Sequence, residues 1–287
     1  MRAILLLSYA VIFSLFGTPP VQAQVLAEQG KMTLSSSYSY EKQEAANRNY
    51  PSIECRSQSQ SNFSQVIGRS VLGNAIRAFF WGHGKSYVYV VAAIHGNESN
   101  SGQLVERIRE LLEQKFGRKS EKVTFIMIPC LNPDGRYWHC RTNANRVDLN
   151  RNFPSRDISD QIKLIIYNKS SLAPLQPEIQ ALLKLCTSYP PTLIYSIHQP
   201  YNLINYDGPA ATIAQEIQRF NGMRIVPDIG YATPGSLGQY FSKLKKVPVI
   251  TLELPYTGKC QDWEELLYLN AEAIIYSTLN WLSRHAK

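Results

Sequence analysis

The sequence predicts an α/β protein with three layers, in which helices cover both faces of a mixed, mostly parallel central sheet. Continuous apolar runs with the length of buried strands occur at residues 87–95, 123–129, 192–198 and 247–254. The interval at 103–113 has apolar residues at spacings of three and four, which is typical of an amphipathic helix. Because buried strands that alternate with helices form parallel sheets, we expect a single α/β domain.

Shorter elements are predicted around these runs. Residues 69–82 are typical of two short strands around a Gly-Asn turn. The sequence Asn-Pro-Asp-Gly at 132–135 predicts a turn directly after the second run. Further helices are predicted after residues 176, 211, 235 and 262.

Composition fits one sizeable core and argues against a nucleic-acid-binding protein. The 287 residues are 44% hydrophobic and 18% charged. The formal net charge is +8, from 30 basic and 22 acidic residues, but the basic residues are scattered along the chain. Since no aromatic-basic stripe or nucleic-acid motif accompanies this charge, we expect no nucleic-acid partner.

The amino terminus has the parts of an export signal. Met1 and Arg2 give a positive start, residues 3–17 are apolar, and the segment ends on the small residue Ala23. The apolar segment is short for a bilayer span. We therefore predict a signal peptide over 1–23, with an uncleaved anchor as the alternative. The mature protein is expected to be periplasmic or secreted, without stable membrane insertion.

Residues 24–65 are rich in Ser, Gln, Tyr and Asn and show no sustained periodicity. We predict a flexible N-terminal lead-in there, followed by one domain over 66–287. The chain has five cysteines, an odd number, without CxxC spacing. Their disulfide pairing stays open, and they are poor candidates for metal ligands.

Ionisable side chains close three of the predicted strands. His95 and His198 end their apolar runs, and Glu253 lies near the end of another. Ligands of open α/β sheets gather at the carboxyl ends of the strands, so we expect these side chains to meet. Together with Glu98, the two histidines give two imidazoles and one carboxylate. Such a set leaves the fourth tetrahedral position to water, which predicts one catalytic Zn²⁺ ion.

The segment at residues 141–154 is dense in Asn and Arg and has few apolar residues. Guanidinium groups bind carboxylates in bidentate fashion, and amide side chains can fix the orientation of the bound group. This segment is therefore predicted to bind a carboxylate, whereas a solvated loop with local turns is the alternative.

Five motifs together resemble the zinc metallocarboxypeptidases, the carboxypeptidase A-like hydrolases, over residues 66–284. The motifs are His-Gly-Asn-Glu at 95–98, Asn-Pro-Asp-Gly at 132–135, Arg-Thr-Asn-Ala-Asn-Arg-Val-Asp-Leu-Asn-Arg-Asn-Phe-Pro at 141–154, Ser-Ile-His at 196–198 and Thr-Leu-Glu-Leu at 251–254. Within this family the chain is similar to the murein peptide amidases, which cleave the γ-D-glutamyl-diaminopimelate bond of bacterial wall peptides. That second resemblance depends on residues 68–73, 177–182 and 230–238.

The resemblance implies a role for each matching residue. The resemblance assigns zinc binding to His95, Glu98 and His198, the role of catalytic base to Glu253, and stabilisation of the oxyanion to Arg141. It assigns binding of the substrate's terminal carboxylate to Asn150 and Arg151. It also implies that Tyr231 closes over the substrate and that Leu237 forms the floor of the specificity pocket. One departure is Arg146, which stands where the family usually has glycine.

The resemblance implies a zinc-dependent exopeptidase that acts on murein peptides. A metallocarboxypeptidase that removes C-terminal L-amino acids is the first alternative. The apolar residue Leu237 provides no acidic partner for a Lys or Arg side chain, which argues against a basic-residue specificity. A non-catalytic wall-binding protein on the same fold is the second alternative, but the complete set of ligands and base argues against it.

Overall fold

The computed structural model describes residues 63–116, 120–155, 173–260 and 262–285, which all belong to one compact unit, Arg56–Lys287. The predicted signal peptide and all but the last three residues of the predicted lead-in lie outside the described residues. Phe63, the first of those three, already belongs to a strand. Among the described residues, no helix has both the length and the apolar character needed to cross a membrane.

One mixed sheet of eight strands lies at the centre of the described part of the protein. The strands are β1 (Phe63–Arg69), β2 (Ala75–Trp81), β3 (Ser86–Ala92), β4 (Val123–Ile128), β5 (Pro191–His198), β6 (Tyr201–Asp207), β7 (Arg224–Ile225) and β8 (Val249–Pro255). Their order across the sheet is β1-β2-β4-β3-β5-β8-β6-β7. The central strands β4, β3, β5 and β8 are parallel, while β2 pairs antiparallel with β4 and β6 pairs antiparallel with β8.

Helices lie on both faces of this sheet, which confirms the predicted three-layer fold. The helices are α1 (Ser101–Phe116), α2 (Pro133–Tyr137), α3 (Pro177–Ser188), α4 (Ala211–Asn221), α5 (Leu237–Gln239, continued by a π-helical turn at Tyr240–Leu244) and α6 (Trp263–His285). On one face, apolar residues of α3 and α5 join alternate residues of the strands in a single core cluster. On the other face, α1 and α4 pack against α6.

The central strands are apolar throughout because both of their faces are covered. All six residues of β4 are buried, as are the last five of β3. Strand β6 is different, since its sequence Tyr-Asn-Leu-Ile-Asn-Tyr-Asp is polar at both ends and only Leu203 and Ile204 are buried. The sequence analysis predicted no strand at β6, because this strand lies near the edge of the sheet and lacks the continuous apolar run of a strand that is buried on both faces.

The carboxyl ends of β3, β5 and β8 meet at one edge of the sheet. Strand β3 pairs in parallel with β5, and β5 pairs in parallel with β8, with His198 opposite Glu253. The chain leaves β3 through Ala93, whose φ of 48° is unusual for a residue with a Cβ atom. This bend leads directly to His95, so three of the predicted functional side chains lie at the same edge.

A buried carboxylate connects the first hairpin to the loop region of this edge. Asp134, in α2, accepts hydrogen bonds from the Ser70 hydroxyl at 2.6 Å, the Asn74 amide at 2.7 Å and the Leu72 backbone N–H at 3.0 Å. Its side chain is almost wholly buried. The turn between β1 and β2 is therefore fixed to α2 by three hydrogen bonds to one charged group.

We expect Asp134→Ala to lower the free energy of unfolding by about 3 kcal/mol, because it leaves three donors without their acceptor. Ser70→Ala removes a single donor and should cost about 1 kcal/mol. Urea unfolding of both variants and the wild type measures the difference. If Asp134→Ala were no more destabilising than Ser70→Ala, the carboxylate would not be what fixes the β1–β2 turn to α2.

Candidate metal centre and active site

His95, Glu98 and His198 come together as a buried cluster. Nδ1 of His95 lies 2.7 Å from Oε1 of Glu98, and Nδ1 of His198 lies 2.8 Å from Oε2 of the same carboxylate. The two imidazole rings are 5.0 Å apart, and one ligand atom from each of the three residues lies within 4.8 Å of the others. Two ring nitrogens and a carboxylate that converge in this way form a group able to hold a metal ion.

The loop between β3 and α1 presents two of these three side chains. Glu98 and His95 are joined by a backbone hydrogen bond, and the Ser101 hydroxyl donates to the Glu98 carbonyl at 2.6 Å. Gly96 packs against α2 so closely that a Cβ atom there would lie 1.9 Å from the carbonyl carbon of Gly135. A larger residue at position 96 would therefore displace the loop that carries both side chains.

Asp148 contacts the cluster, although no role was predicted for it from the sequence. Its Oδ1 lies 3.2 Å from Nε2 of His95, the ring nitrogen opposite the one that faces Glu98. Metal-binding histidines usually donate their second N–H to a carboxylate, which fixes the ring and its tautomer. The only sequence signal for this residue was its place within the Asn- and Arg-rich motif at 141–154.

The same carboxylate orients Arg141. Nε of Arg141 donates to Oδ2 of Asp148 at 3.0 Å, and Nη1 of Arg141 lies 3.6 Å from Oε1 of Glu98. The Arg141 side chain is 46% exposed, so its guanidinium lies at the border between the buried cluster and solvent. Burial would raise the pKa of Asp148, but His95 and Arg141 hold that pKa below its ordinary value.

Glu253 lies beside the cluster with an unsatisfied oxygen. It stands opposite His198 in the β5–β8 register. Its Oε2 atom is buried and has no hydrogen-bond partner among the described residues. Burial raises the pKa of Glu253, although the charge of His198 opposes this effect. An orphaned carboxylate oxygen at this position is available to a water molecule or to substrate.

Asn150 and Arg151 lie on the next turn of the same loop. The Asn150 N–H donates to Oδ1 of Asp148 at 2.9 Å, and Oδ1 of Asn150 accepts the N–H of Leu237 at 2.9 Å. Nη1 of Arg151 donates to the Asn150 carbonyl at 2.7 Å. Burial lowers the pKa of Arg151, and Arg141 lowers it further, while Asp148 opposes both. A partly buried guanidinium near a second one is suited to an anionic ligand.

Tyr231 and Leu237 occupy different environments. The Tyr231 side chain is 60% exposed and lies close enough to Arg151 to affect the pKa of that residue. Leu237 is 1% exposed and belongs to the hydrophobic core cluster, so its closest link to the site is the backbone hydrogen bond to Asn150. The covering role of Tyr231 and the pocket-floor role of Leu237 stay predictions.

The start of α3 holds the loop that carries Arg141, Asp148 and Asn150. Nδ2 of Asn143 donates to Oε1 of Gln176 at 2.9 Å and to Oε2 of Glu178 at 3.1 Å. Further along the loop, Oδ1 of Asn152 accepts the Gln176 N–H at 2.8 Å. Glu178 is wholly buried, which gives a structural reason for the Pro-Glu pair that the sequence resemblance singled out.

Comparison with known proteins identifies the family. The profile of the zinc carboxypeptidases matches residues 50–263. A murein peptide amidase A from Vibrio campbellii is 31% identical over 204 residues, which cover 66% of this chain and 77% of that protein. Its counterpart from Escherichia coli is 27% identical over 196 residues, covering 64% of this chain and 78% of that protein.

Solved structures show the same fold. The murein-tripeptide amidase of Escherichia coli O157 aligns with 73% of this chain and 91% of its own at a TM-score of 0.54, with 24% identity. The carboxypeptidase A of Helicoverpa armigera aligns with 79% of this chain and 70% of its own at a TM-score of 0.63, with 16% identity. The predicted resemblance is thus confirmed, and this chain belongs to the zinc carboxypeptidase family of peptide hydrolases.

Proposed function

We propose that this chain is a zinc-dependent exopeptidase that hydrolyses the γ-D-glutamyl-diaminopimelate bond of peptidoglycan peptides. The observation that carries the proposal is the buried His95–Glu98–His198 cluster with the unsatisfied Oε2 of Glu253 beside it. A group of three metal ligands with an adjacent free carboxylate is the arrangement that metal-assisted hydrolysis requires.

The donor set fits zinc, which is the metal of this family. In the proposal, His95 and His198 bind the ion through the Nδ1 atoms that now face Glu98, and Glu98 binds through its carboxylate. A bound zinc ion would lower the pKa of the attacking water molecule and would polarise the substrate carbonyl. Asp148 would keep the ring of His95 in the tautomer that leaves Nδ1 free to bind.

In this proposal, Glu253 transfers the proton and Arg141 stabilises the negative charge that develops during hydrolysis. Glu253 accepts a proton from the attacking water through its unsatisfied oxygen and delivers it to the nitrogen of the leaving amine. Arg141 donates hydrogen bonds to the carbonyl oxygen as negative charge develops on it. Its hydrogen bond to Asp148 fixes the guanidinium before substrate arrives, so little reorganisation is needed.

Asn150 and Arg151 make the enzyme an exopeptidase in this proposal. They would hold the free α-carboxylate of the residue that leaves, which sets the scissile bond at a fixed distance from Glu253. Arg151 is half-buried, and burial strengthens its interaction with an anion. Tyr231, mostly exposed and near Arg151, would close over the bound carboxylate.

The murein substrate is supported by the names of the relatives at 31% and 27% identity, both murein peptide amidases. A carboxypeptidase acting on C-terminal L-amino acids fits the same site. It is favoured by relatives that match a shorter part of the chain, such as the catalytic chain of human carboxypeptidase N, which is 27% identical over 151 residues. Complete ligands and an available base argue against the wall-binding alternative.

We further propose that residues 1–23 are a signal peptide and that the predicted lead-in begins at residue 24. The predicted start of the catalytic domain at residue 66 moves to Phe63 or earlier, because β1 already begins there. The support is the order of charge, apolar run and small residues at the amino terminus. Mass spectrometry of the protein exported by a Gram-negative host should show a chain that begins at Gln24. Retention of Met1 in a membrane fraction would favour the anchor alternative.

We expect Glu253→Gln to lower kcat by about 100- to 10,000-fold, because the amide cannot accept the proton of the water. Bound zinc, measured by elemental analysis, should stay at the wild-type level. Glu265→Gln, which changes an exposed carboxylate of α6, is the matched control and should leave kcat unchanged. Activity retained in Glu253→Gln would contradict the role given to this residue.

We expect Asp148→Asn to weaken zinc binding by about 10- to 100-fold, since it removes the carboxylate that orients His95. Competition with a chelating dye measures the affinity. Asp262→Asn, a change at an exposed residue, is the control and should have no effect. Unaltered zinc affinity in Asp148→Asn would show that the bond to His95 does not support the metal centre.

We expect the mature protein to release diaminopimelate from muropeptides and to lose this activity in the presence of a chelator. Product masses from muropeptides and from C-terminal L-peptides, each with and without chelator, measure both points. Release of C-terminal L-amino acids without any cleavage of muropeptides would favour the carboxypeptidase alternative. Equal cleavage with and without chelator would contradict a zinc enzyme.

A further inference from the structure

Two neighbouring aromatic side chains, Tyr137 and Trp138, are exposed at the end of α2. Tyr137 is 57% exposed and Trp138 is 38% exposed. Their ring centroids lie 5.7 Å apart at an interplanar angle of 79°, so the two rings form an edge-to-face pair. Trp138 stands three residues before Arg141, the proposed oxyanion donor. Exposed aromatic side chains that lie together beside a site indicate a surface that binds a ligand.

The backbone under this pair is an ordered turn. The Trp138 N–H donates to the Asp134 carbonyl at 3.3 Å, and the Cys140 N–H donates to the Gly135 carbonyl at 2.8 Å. The exposure of the two rings is therefore not that of a loose loop tip. A surface that is already ordered loses little conformational freedom when a ligand binds to it.

The same turn is fixed to the loop that carries His95. At the start of α2, Nδ2 of Asn132 donates to the Ile94 carbonyl at 3.3 Å, and the Asn132 N–H donates to the Ala93 carbonyl at 3.0 Å. Gly96 packs against α2 without room for a Cβ atom. The aromatic pair thus has a defined position relative to the candidate metal centre.

The pair lies within reach of the acyl part of a substrate. In the proposed function, Asn150 and Arg151 hold the carboxylate at which the leaving residue ends. Any larger part of the substrate therefore belongs to the acyl side, beyond the carbonyl that Arg141 binds. The Cα atoms of Trp138 and Arg141 are at most about 11 Å apart, because each of the three residues between them spans at most about 3.6 Å.

A wall peptide that is still attached to its glycan has an amino sugar at about this distance. The peptide is joined to the sugar through a lactyl ether, and about eleven bonds separate the scissile carbonyl carbon from the sugar ring, an extended reach of roughly 13 Å. The faces of the sugar carry C–H bonds, and its edges carry hydroxyl and amide groups. Trp and Tyr match this pattern, since each combines an apolar ring with a polar N–H or O–H group.

We propose that Tyr137 and Trp138 bind the amino-sugar ring of a wall peptide that is attached to its glycan. This inference rests on the proposed function and extends it, because it names glycan-linked peptides as substrates in addition to free ones. The size of the pair favours a sugar over a membrane or a protein surface. Its flanking residues Arg136, His139 and Arg141 are polar, and two rings are small beside the contiguous apolar patches that bind such partners.

The experiment compares two substrates that share the peptide L-alanyl-γ-D-glutamyl-diaminopimelate. One is the free tripeptide, and the other carries the N-acetylglucosaminyl-N-acetylmuramyl disaccharide. Values of kcat/KM are measured for the zinc-loaded wild type, Trp138→Ala and Trp138→Phe. Phe220→Ala is the matched control, because Phe220 is 42% exposed and stacks on Tyr276 of α6.

For the wild type, we expect kcat/KM to be about 10-fold higher for the glycan-linked substrate than for the free tripeptide, the size typical of one aromatic contact with its buried area. Trp138→Ala should bring the ratio of the two values close to one. Trp138→Phe should keep most of the ratio, because an aromatic ring remains. Phe220→Ala should have the wild-type ratio.

Two kinetic results would overturn the assignment. A wild type that uses both substrates equally, or a ratio that is unchanged in Trp138→Ala, would show that the pair does not contact the sugar. Equal losses for both substrates in Trp138→Ala would show that Trp138 only supports the turn before Arg141.

A binding measurement separates this inference from the proposed function. If neither substrate is cleaved, the murein function fails, and an NMR titration with the peptide-free disaccharide decides the sugar site alone. We expect the wild type to bind it with a Kd on the order of 1 mM, as for a small ligand with one aromatic contact, and Trp138→Ala to lose this binding. The absence of binding by the wild type would overturn the sugar site. Trp138-dependent binding to phosphatidylglycerol vesicles without disaccharide binding would assign the pair to a membrane surface instead.

Discussion

The geometry of the metal centre depends on the buried carboxylate of Glu98. It presents one oxygen to each imidazole, so His95 and His198 have their Nδ1 atoms facing the same point. Burial would raise the pKa of Glu98, but the two histidines hold that pKa below its ordinary value. A buried cluster of this kind is stable only while the negative charge of its carboxylate is balanced by positive charge. A divalent cation bound between the three side chains can supply that positive charge.

Asp148 links this candidate metal-binding cluster to Arg141 and Asn150. One oxygen lies next to His95 and the Asn150 N–H, and the other accepts from Arg141. The loop around it is fixed at two points by the beginning of α3. Because His95, Arg141 and Asn150 all contact this one carboxylate, a shift of the loop would disturb all three of the roles proposed for them together.

The sequence predicted those parts of the site that leave a local signal. His95, His198 and Glu253 each interrupt an apolar run, and the rule that parallel strands end at one edge was enough to bring them together. Asp148 left no such signal, because its contact with the cluster depends on a partner that the fold brings to it, and it lies 53 residues from His95. Strand β6 was missed for a related reason, since an edge strand with polar ends lacks the continuous apolar pattern.

The direction of β6 determines which of its side chains lie near the metal centre. The parallel strands β5 and β8 end at the site, where they deliver His198 and Glu253. Strand β6 begins there, with Tyr201 opposite Pro255, and runs back along β8. Residues further along β6 therefore lie farther from His198 and Glu253, and only the beginning of this strand lies near the site.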